Sequence, residues 1–132
     1  MHKFKKYSTA IVLSHLAVAI VHGLAHERLA IHLTSVQKLF IMVMVIVAPL
    51  VAMSLSWTRH WKVAGTLLFL SMSGSLIFGV ANHFLIVSAD HVSHLPAGQW
   101  VLPFQVTAVL LALTESVGCL VGLAALLAKD RA

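Results

Sequence analysis

Four apolar segments, each long enough to cross a lipid bilayer, constrain the fold of this chain more than any other feature. They cover residues 7–33, 36–57, 61–87 and 100–128. A helix needs about 20 apolar residues to cross the roughly 30 Å hydrocarbon core of a membrane, and within that core its backbone polar groups must bond to one another. The sequence therefore predicts an all-α integral membrane protein, a single domain over residues 1–132 whose four transmembrane helices form an up-down bundle.

The composition agrees with a membrane environment and excludes several other classes. Of the 132 residues 60% are hydrophobic and 10% are charged, which is more apolar surface than a soluble domain of this length can bury. The single cysteine, Cys119, excludes an intramolecular disulfide and a cysteine-rich zinc site. The net charge of +5 does not indicate a nucleic-acid partner, because the basic residues lie at the ends of the apolar segments. The expected partners are the lipid bilayer and either another membrane protein or a second copy of the chain.

The distribution of basic residues predicts the orientation in the membrane. With both termini in the cytoplasm, seven basic residues lie on the cytoplasmic side and two on the other. The seven are Lys3, Lys5, Lys6, Arg59, Lys62, Lys129 and Arg131, and the two are Arg28 and Lys38. Because cytoplasmic loops of membrane proteins are enriched in lysine and arginine, we expect both termini on the cytoplasmic side of a bacterial inner membrane.

Histidines line one face of the first helix. His15, His22 and His26 are separated by seven and four residues, which places them within about 40° of one another at about 100° per residue. A polar stripe facing lipid is costly, so this stripe should face the interior of the bundle. The HxxxH spacing of His22 and His26 puts two imidazoles one turn apart, where they can share a metal ion.

A second histidine-rich region reaches the same, periplasmic end of the bundle. His83 lies near the end of the third segment, and the following loop contains Asp90, His91 and His94. We expect His22, His26, His83, His91 and His94 to be metal ligands, with support from Asp90 or Glu27. Imidazoles with a little carboxylate suit copper, zinc or iron. A hydrogen-bonded polar network without a metal is the alternative.

Haem b is a second cofactor that this pattern allows. His22 and His83 come from different helices at similar depth, and two such histidines can be the axial ligands of a haem iron.

A deeper polar pair predicts a route for protons. Glu115 lies well inside the fourth apolar segment, at about the depth of His15. A carboxyl group inside the membrane is costly unless it is neutralised or paired, so His15 and Glu115 are candidates for a shared proton. The alternative is that Glu115 only joins two helices by a hydrogen bond.

These features predict a small membrane metalloprotein with a histidine-rich transition-metal site near the periplasmic face. Such a site performs redox chemistry or passes a metal on, with protons moving through His15 and Glu115. A haem b electron carrier and a non-catalytic subunit of a larger membrane complex are the two alternatives. The sequence contains no GxSxG, Walker, CxxCH or HExxH motif, so it does not show whether the protein is an enzyme.

Overall fold

Four long helices make up nearly all of this protein. The structure is a computed structural model that describes residues 2–128, with the side chain of His2 left out, and 79% of it is helical. The helices are α1 (His2–Arg28), α2 (Ser35–Ser56), α3 (Trp61–Leu85) and α4 (Val101–Leu127). Each is long and apolar enough to cross a membrane, which confirms the prediction of four apolar helical spans. Lys129 and Arg131 lie outside the described residues.

The outward faces of the helices are apolar. Ile20 on α1, Ile77 on α3 and Leu120 on α4 expose 63%, 70% and 66% of their surface. Large aliphatic side chains exposed in this number would be costly in water. The helices therefore fit a lipid environment, with their polar side chains turned inward.

The helices run alternately up and down. The start of α1 meets the end of α2, where the hydroxyls of Ser8 and Ser56 are 2.9 Å apart. At the opposite end, His22 of α1 meets His83 near the end of α3 and Thr107 near the start of α4. We call the end that holds the loops 29–34 and 86–100 the site end, and the end that holds the chain termini the terminal end.

The ends of α1 and α2 explain where the first loop forms. Helix α1 stops at Arg28 rather than continuing to Leu33, because Ala30 adopts a left-handed conformation with φ 52°. The Ile31 N–H then bonds the carbonyl of His26 and the Ala30 N–H bonds that of Glu27, as in a Schellman motif. Helix α2 begins with the capping box that the Thr34-Ser-Val-Gln37 spacing predicts, since Thr34 and Gln37 bond reciprocally.

The other spans also differ slightly from their predicted bounds. Helix α2 occupies Ser35–Ser56 rather than 36–57, and α3 ends at Leu85 rather than at residue 87. Helix α4 covers Val101–Leu127, within the predicted 100–128. Differences of one or two residues at helix ends are ordinary.

Two segments of π-helix interrupt the bundle on the side of the site end. Ile41–Val47 forms the first within α2, and Ala81–Leu85 forms the second at the end of α3. The first precedes Pro49, which has no N–H to give to the carbonyl of Val45. The Nε2 of His15 donates to that carbonyl at 3.1 Å, so a buried histidine bonds the acceptor that the proline leaves free.

Helices α3 and α4 pack very closely over their halves near the terminal end. A Cβ added at Gly122 would lie 2.6 Å from the backbone nitrogen of Phe69 and 2.9 Å from the carbonyl oxygen of Gly65. A Cβ at Gly65 would lie 2.7 Å from the Cβ of Ala125. Small residues let the backbones of two helices approach closely. The resulting van der Waals contacts stabilise helix association in a membrane, where the hydrophobic effect does not drive it.

We expect Gly122→Ala to destabilise the protein by about 2 kcal/mol, because its methyl group meets rigid backbone of α3 and forces the helices apart. The matched control is Gly23→Ala, where an added Cβ meets nothing within 4 Å. Thermal unfolding in detergent should show a lowered Tm for the first variant and little change for the second. Equal Tm values would contradict the close packing.

Candidate metal centre

Three histidines converge at the site end. His22 and His26 come from α1 and His83 from the π-helical end of α3, and one ring nitrogen from each lies within 4.8 Å of the other two. All three residues are buried, with 6–8% of their surface exposed. The structure thus brings together three of the residues that the sequence predicts as ligands.

Local backbone structure explains this convergence. His22 and His26 are one helical turn apart, so their rings lie over one another with centroids 4.9 Å apart. His83 lies inside the π turn, where the N–H of Ile86 bonds the carbonyl of Ala81. The carbonyl of His83 also accepts the N–H of Val92. The returning loop therefore fixes the position of His83 across from α1.

Hydrogen bonds to Thr107 determine which nitrogen of His22 faces the cluster. Nδ1 of His22 lies 2.8 Å from the Thr107 hydroxyl, and this hydroxyl lies 2.6 Å from the carbonyl of Pro103. Since a hydroxyl has one proton to donate, the tautomer of His22 follows from where that proton goes. If it goes to His22, Nε2 of His22 donates to Nε2 of His83; if it goes to Pro103, Nδ1 of His22 donates to Thr107. In the second case, Nε2 of the neutral His22 ring carries a lone pair.

The same reasoning holds for His83. Its Nδ1 donates to the carbonyl oxygen of Asp90 at 3.1 Å, which leaves a lone pair on Nε2. The two Nε2 atoms of His22 and His83 are 3.2 Å apart. When Nδ1 of His22 is the donor to Thr107, two lone pairs meet at this distance, and a proton or a metal ion between or beside them would relieve their repulsion. The separation equals, within about 0.1 Å, the edge of a tetrahedron whose corners are 2.0–2.1 Å from a zinc ion, roughly 3.3 Å.

The side chains of His26 and Asp90 lie against each other, and Oδ1 of Asp90 is also 3.4 Å from Nδ1 of His83. Nε2 of His26 lies 3.3 Å from Oδ1 of Asp90. Among the described residues, Nδ1 of His26 and both carboxylate oxygens of Asp90 are buried and have no hydrogen-bond partner. A buried carboxylate is costly unless a cation compensates it. A divalent ion held by the neighbouring imidazoles supplies that compensation, so the donor set fits a metal.

Phe104 covers the cluster on the side of α4. Its ring centroid lies 4.6 Å from that of His22, 4.9 Å from that of His26 and 5.4 Å from that of His83. The residue has no exposed surface. It excludes water from one side of the three imidazoles, which strengthens electrostatic interactions within the site.

His91 and His94 form a separate pair in the loop. Both Nδ1 atoms bond the hydroxyl of Ser93, at 2.8 and 3.0 Å, and they are 3.3 Å apart. Nε2 of His91 donates to the carbonyl of Phe84, and His94 is exposed. Neither belongs to the group of His22, His26 and His83. The side chain of Asp90, in the same loop, lies 3.3 Å from His26 and 3.4 Å from His83.

His15 and Glu115 are both buried, yet their contacts go elsewhere than to each other. His15 bonds the carbonyl of Val45, and its Nδ1 lies 3.4 Å from the Thr114 hydroxyl. Glu115 is 3% exposed and lines a cavity. A Cβ at Gly79 would lie 3.8 Å from Oε2 of Glu115 and 4.0 Å from Cδ2 of His83. Glu115 therefore lies closer to His83 than its position in the sequence suggests.

A cavity of about 470 Å³ joins these groups. The imidazoles of His22, His26 and His83 line one part of it and Glu115 another, and Glu27 lies at its exposed side. A volume of this size is typical of sites for small molecules. The centre therefore opens on space that a ligand can occupy.

The sequence did not single out Thr107 and Phe104. Thr107 occurs one turn after Pro103 near the start of α4, at the depth of His22. Gln105, which also lies there, donates to the carbonyl of Val92 instead of contacting His22. The sequence feature that could have indicated Thr107 is a hydroxyl at the depth of His22. It is a weak indication, because a threonine in a helix usually bonds its own backbone.

Comparisons of this chain with models of protein families, with curated proteins and with solved structures find no match. The site is therefore interpreted from its own geometry.

We expect Thr107→Val to weaken zinc binding by about 10- to 100-fold, because the bond that fixes the ring of His22 is lost. The control is Thr66→Val, since Thr66 is exposed and its hydroxyl bonds its own helix at Lys62. Competition with a chromophoric chelator measures both affinities. If the two variants bind zinc as the unchanged protein does, Thr107 has no role in positioning His22.

Proposed function

We propose that this chain is a small membrane metalloprotein that holds one divalent transition-metal ion with His22, His26 and His83. The observation that carries the proposal is the 3.2 Å separation of the Nε2 atoms of His22 and His83, whose Nδ1 atoms both lie within hydrogen-bond distance of an oxygen. We propose the tautomer in which both Nδ1 atoms are donors. This arrangement directs two lone pairs at one position, with a third imidazole close by.

A proton shared between His22 and His83 is the alternative that the same distance allows. It would join the two Nε2 atoms and place one positive charge near Asp90. In that alternative His26 contacts Asp90 through its Nε2, and its Nδ1 is buried without a hydrogen-bond partner among the described residues. A metal ion would use all three imidazoles, because each offers a ring nitrogen within 4.8 Å of the other two.

Three protein ligands leave one coordination position for a further ligand. Structural zinc sites are usually closed by four protein ligands, whereas catalytic sites have three and an open position. Here the open position faces the cavity that contains Glu115. We therefore propose a centre that acts on or exchanges a ligand, with Glu115 as the group that accepts or gives a proton there. His15 then has a structural role, at the carbonyl of Val45.

The donor set limits the identity of the ion. Three imidazoles suit zinc, copper(II) and iron, and methionine or cysteine ligands that select copper(I) do not line the cavity. The tetrahedral edge favours zinc among these. Haem b requires His22 and His83 on opposite faces of a flat macrocycle, with Nε2 atoms about 4 Å apart at the usual bond lengths. Their separation of 3.2 Å favours a single ion.

The orientation that we propose places this centre on the periplasmic side of a bacterial inner membrane. Lys3, Lys5, Lys6, Arg59 and Lys62 belong to the terminal end, and Arg28 and Lys38 belong to the site end. This excess of basic residues supports a cytoplasmic terminal end.

Purified protein should contain about one transition-metal ion per chain, and His22→Ala and His83→Ala should each reduce this content at least tenfold, since two remaining imidazoles hold an ion weakly. Elemental analysis after gel filtration measures it and also identifies the metal. His91→Ala and His60→Ala are the controls and should retain the ion.

Three results would contradict this assignment. Loss of the ion in His91→Ala but not in His22→Ala would move the site to the loop. A Soret absorption band with one iron per chain would replace the ion by haem b. If the protein takes up neither metal nor haem, the remaining alternative is a non-catalytic subunit of a larger membrane complex.

A further inference from the structure

We propose that the cavity binds an uncharged ring compound dissolved in the membrane, of the quinone or quinol type, with one of its oxygens between the histidine cluster and Glu115. The ring enters from lipid through a gap between α1 and the site-end half of α2. This ligand deepens the proposed function and rests on it, because the ligand shares the cavity with the metal ion.

Glu115 supplies the first argument. Its side chain is 3% exposed within a membrane-spanning helix, and none of its oxygens bonds another described residue. Oε2 points to the open space beside Gly79, and His83 borders the same space. A buried carboxyl group without a partner has a strong free-energy reason to take a ligand that bonds it. A carboxylic acid donates to a quinone carbonyl, and a carboxylate accepts from a quinol hydroxyl.

The walls of the cavity supply the second argument. The lining includes the apolar residues Ile41, Val45, Phe78, Ala108 and Leu111, and at the site end it also includes the charged residues Glu27 and Lys38. The hydroxyl of Ser75, which also lines the cavity, bonds the carbonyl of Met44. An occupant is therefore apolar over most of its surface and polar at one end, and a volume of about 470 Å³ accepts a substituted ring with the start of a tail.

The packing of α1 supplies the third argument, because it leaves a gap that faces lipid. Helix α1 packs on Ala48–Ser56 of α2, whereas Ile41–Val47 packs on α3. The bond from His15 to the Val45 carbonyl closes the gap on the side of the terminal end. Beyond it, Gly23 is exposed, and a Cβ there would meet nothing within 4 Å. Residues of the loop 29–34 line the cavity at the site end, where Glu27 and Lys38 are exposed, and we propose a second opening between the helices.

Charge determines which amphiphile fits. A metal ion on three neutral imidazoles is positive and repels a cationic head group. Entry through the hydrocarbon part of a membrane is costly for any charged group. An uncharged oxygen-bearing ring meets neither cost.

The test measures binding of decylubiquinone by calorimetry to the zinc-loaded full chain in lipid nanodiscs, with empty nanodiscs as the reference for partitioning. Three variants remove one feature each: Glu115→Leu removes the carboxyl group, Gly79→Leu fills the space beside it, and Gly23→Leu narrows the gap. Each should weaken binding at least tenfold, about the effect of one buried hydrogen bond. Ser116→Ala and Val21→Leu are the controls and should bind as the unchanged protein does. The hydroxyl of Ser116 bonds its own helix at Ala112, and Val21 is exposed on another face of α1.

The zinc content of every sample separates this proposal from the metal assignment. Weak binding in Glu115→Leu with zinc retained supports the ligand site. If zinc-loaded protein gives no more heat with decylubiquinone than empty nanodiscs do, the ligand site is wrong and the metal centre is unaffected. Tighter binding of decyltrimethylammonium than of decylubiquinone would also overturn it, since the cavity would then select a cation. If protein that contains no zinc binds decylubiquinone, the result supports the cavity as a ligand site and contradicts the metal centre.

Discussion

The approach of two imidazole nitrogens inside a lipid-facing bundle is the constraint on which this account depends. In water, His22 and His83 would each bond solvent, but here both are buried and Phe104 covers them. Their Nδ1 atoms lie within hydrogen-bond distance of the Thr107 hydroxyl and of the carbonyl of Asp90, and their Nε2 atoms are 3.2 Å apart. We propose that a metal ion stabilises this contact in a bundle with few polar groups.

The rest of the fold serves to hold this contact. Close packing of α3 on α4 at Gly65 and Gly122 holds these two helices together near the terminal end and leaves no space between them there. Toward the site end the helices depart from regular structure, with π segments at Ile41–Val47 and Ala81–Leu85. Single-turn π segments are frequent at functional sites. In this protein the segment Ile41–Val47 lies beside the proposed gap next to α1, and the segment Ala81–Leu85 contains His83. The tightly packed half of the bundle and the half that contains the cavity are therefore at opposite ends.

Sequence reasoning predicted the four apolar helices, the cap at Thr34 and the meeting of His22 and His26 with His83, because hydrophobic length and helical spacing determine these. It did not predict that α1 ends at Arg28, since the left-handed residue is Ala30 where glycine is usual. The separate position of His91 and His94 depends on Ser93 and on the loop backbone, which no periodicity encodes. The space between Glu115 and His83 depends on Gly79, whose role appears only when both helices are placed.

X-ray absorption at the zinc edge, on the full chain loaded with one equivalent of zinc, tests the central claim most directly. The account predicts three imidazole nitrogens at about 2.0–2.1 Å from the metal, with the multiple scattering that imidazole rings give, and one further light atom. A shell of oxygens without imidazole scattering would contradict it, because zinc would then lie away from His22, His26 and His83.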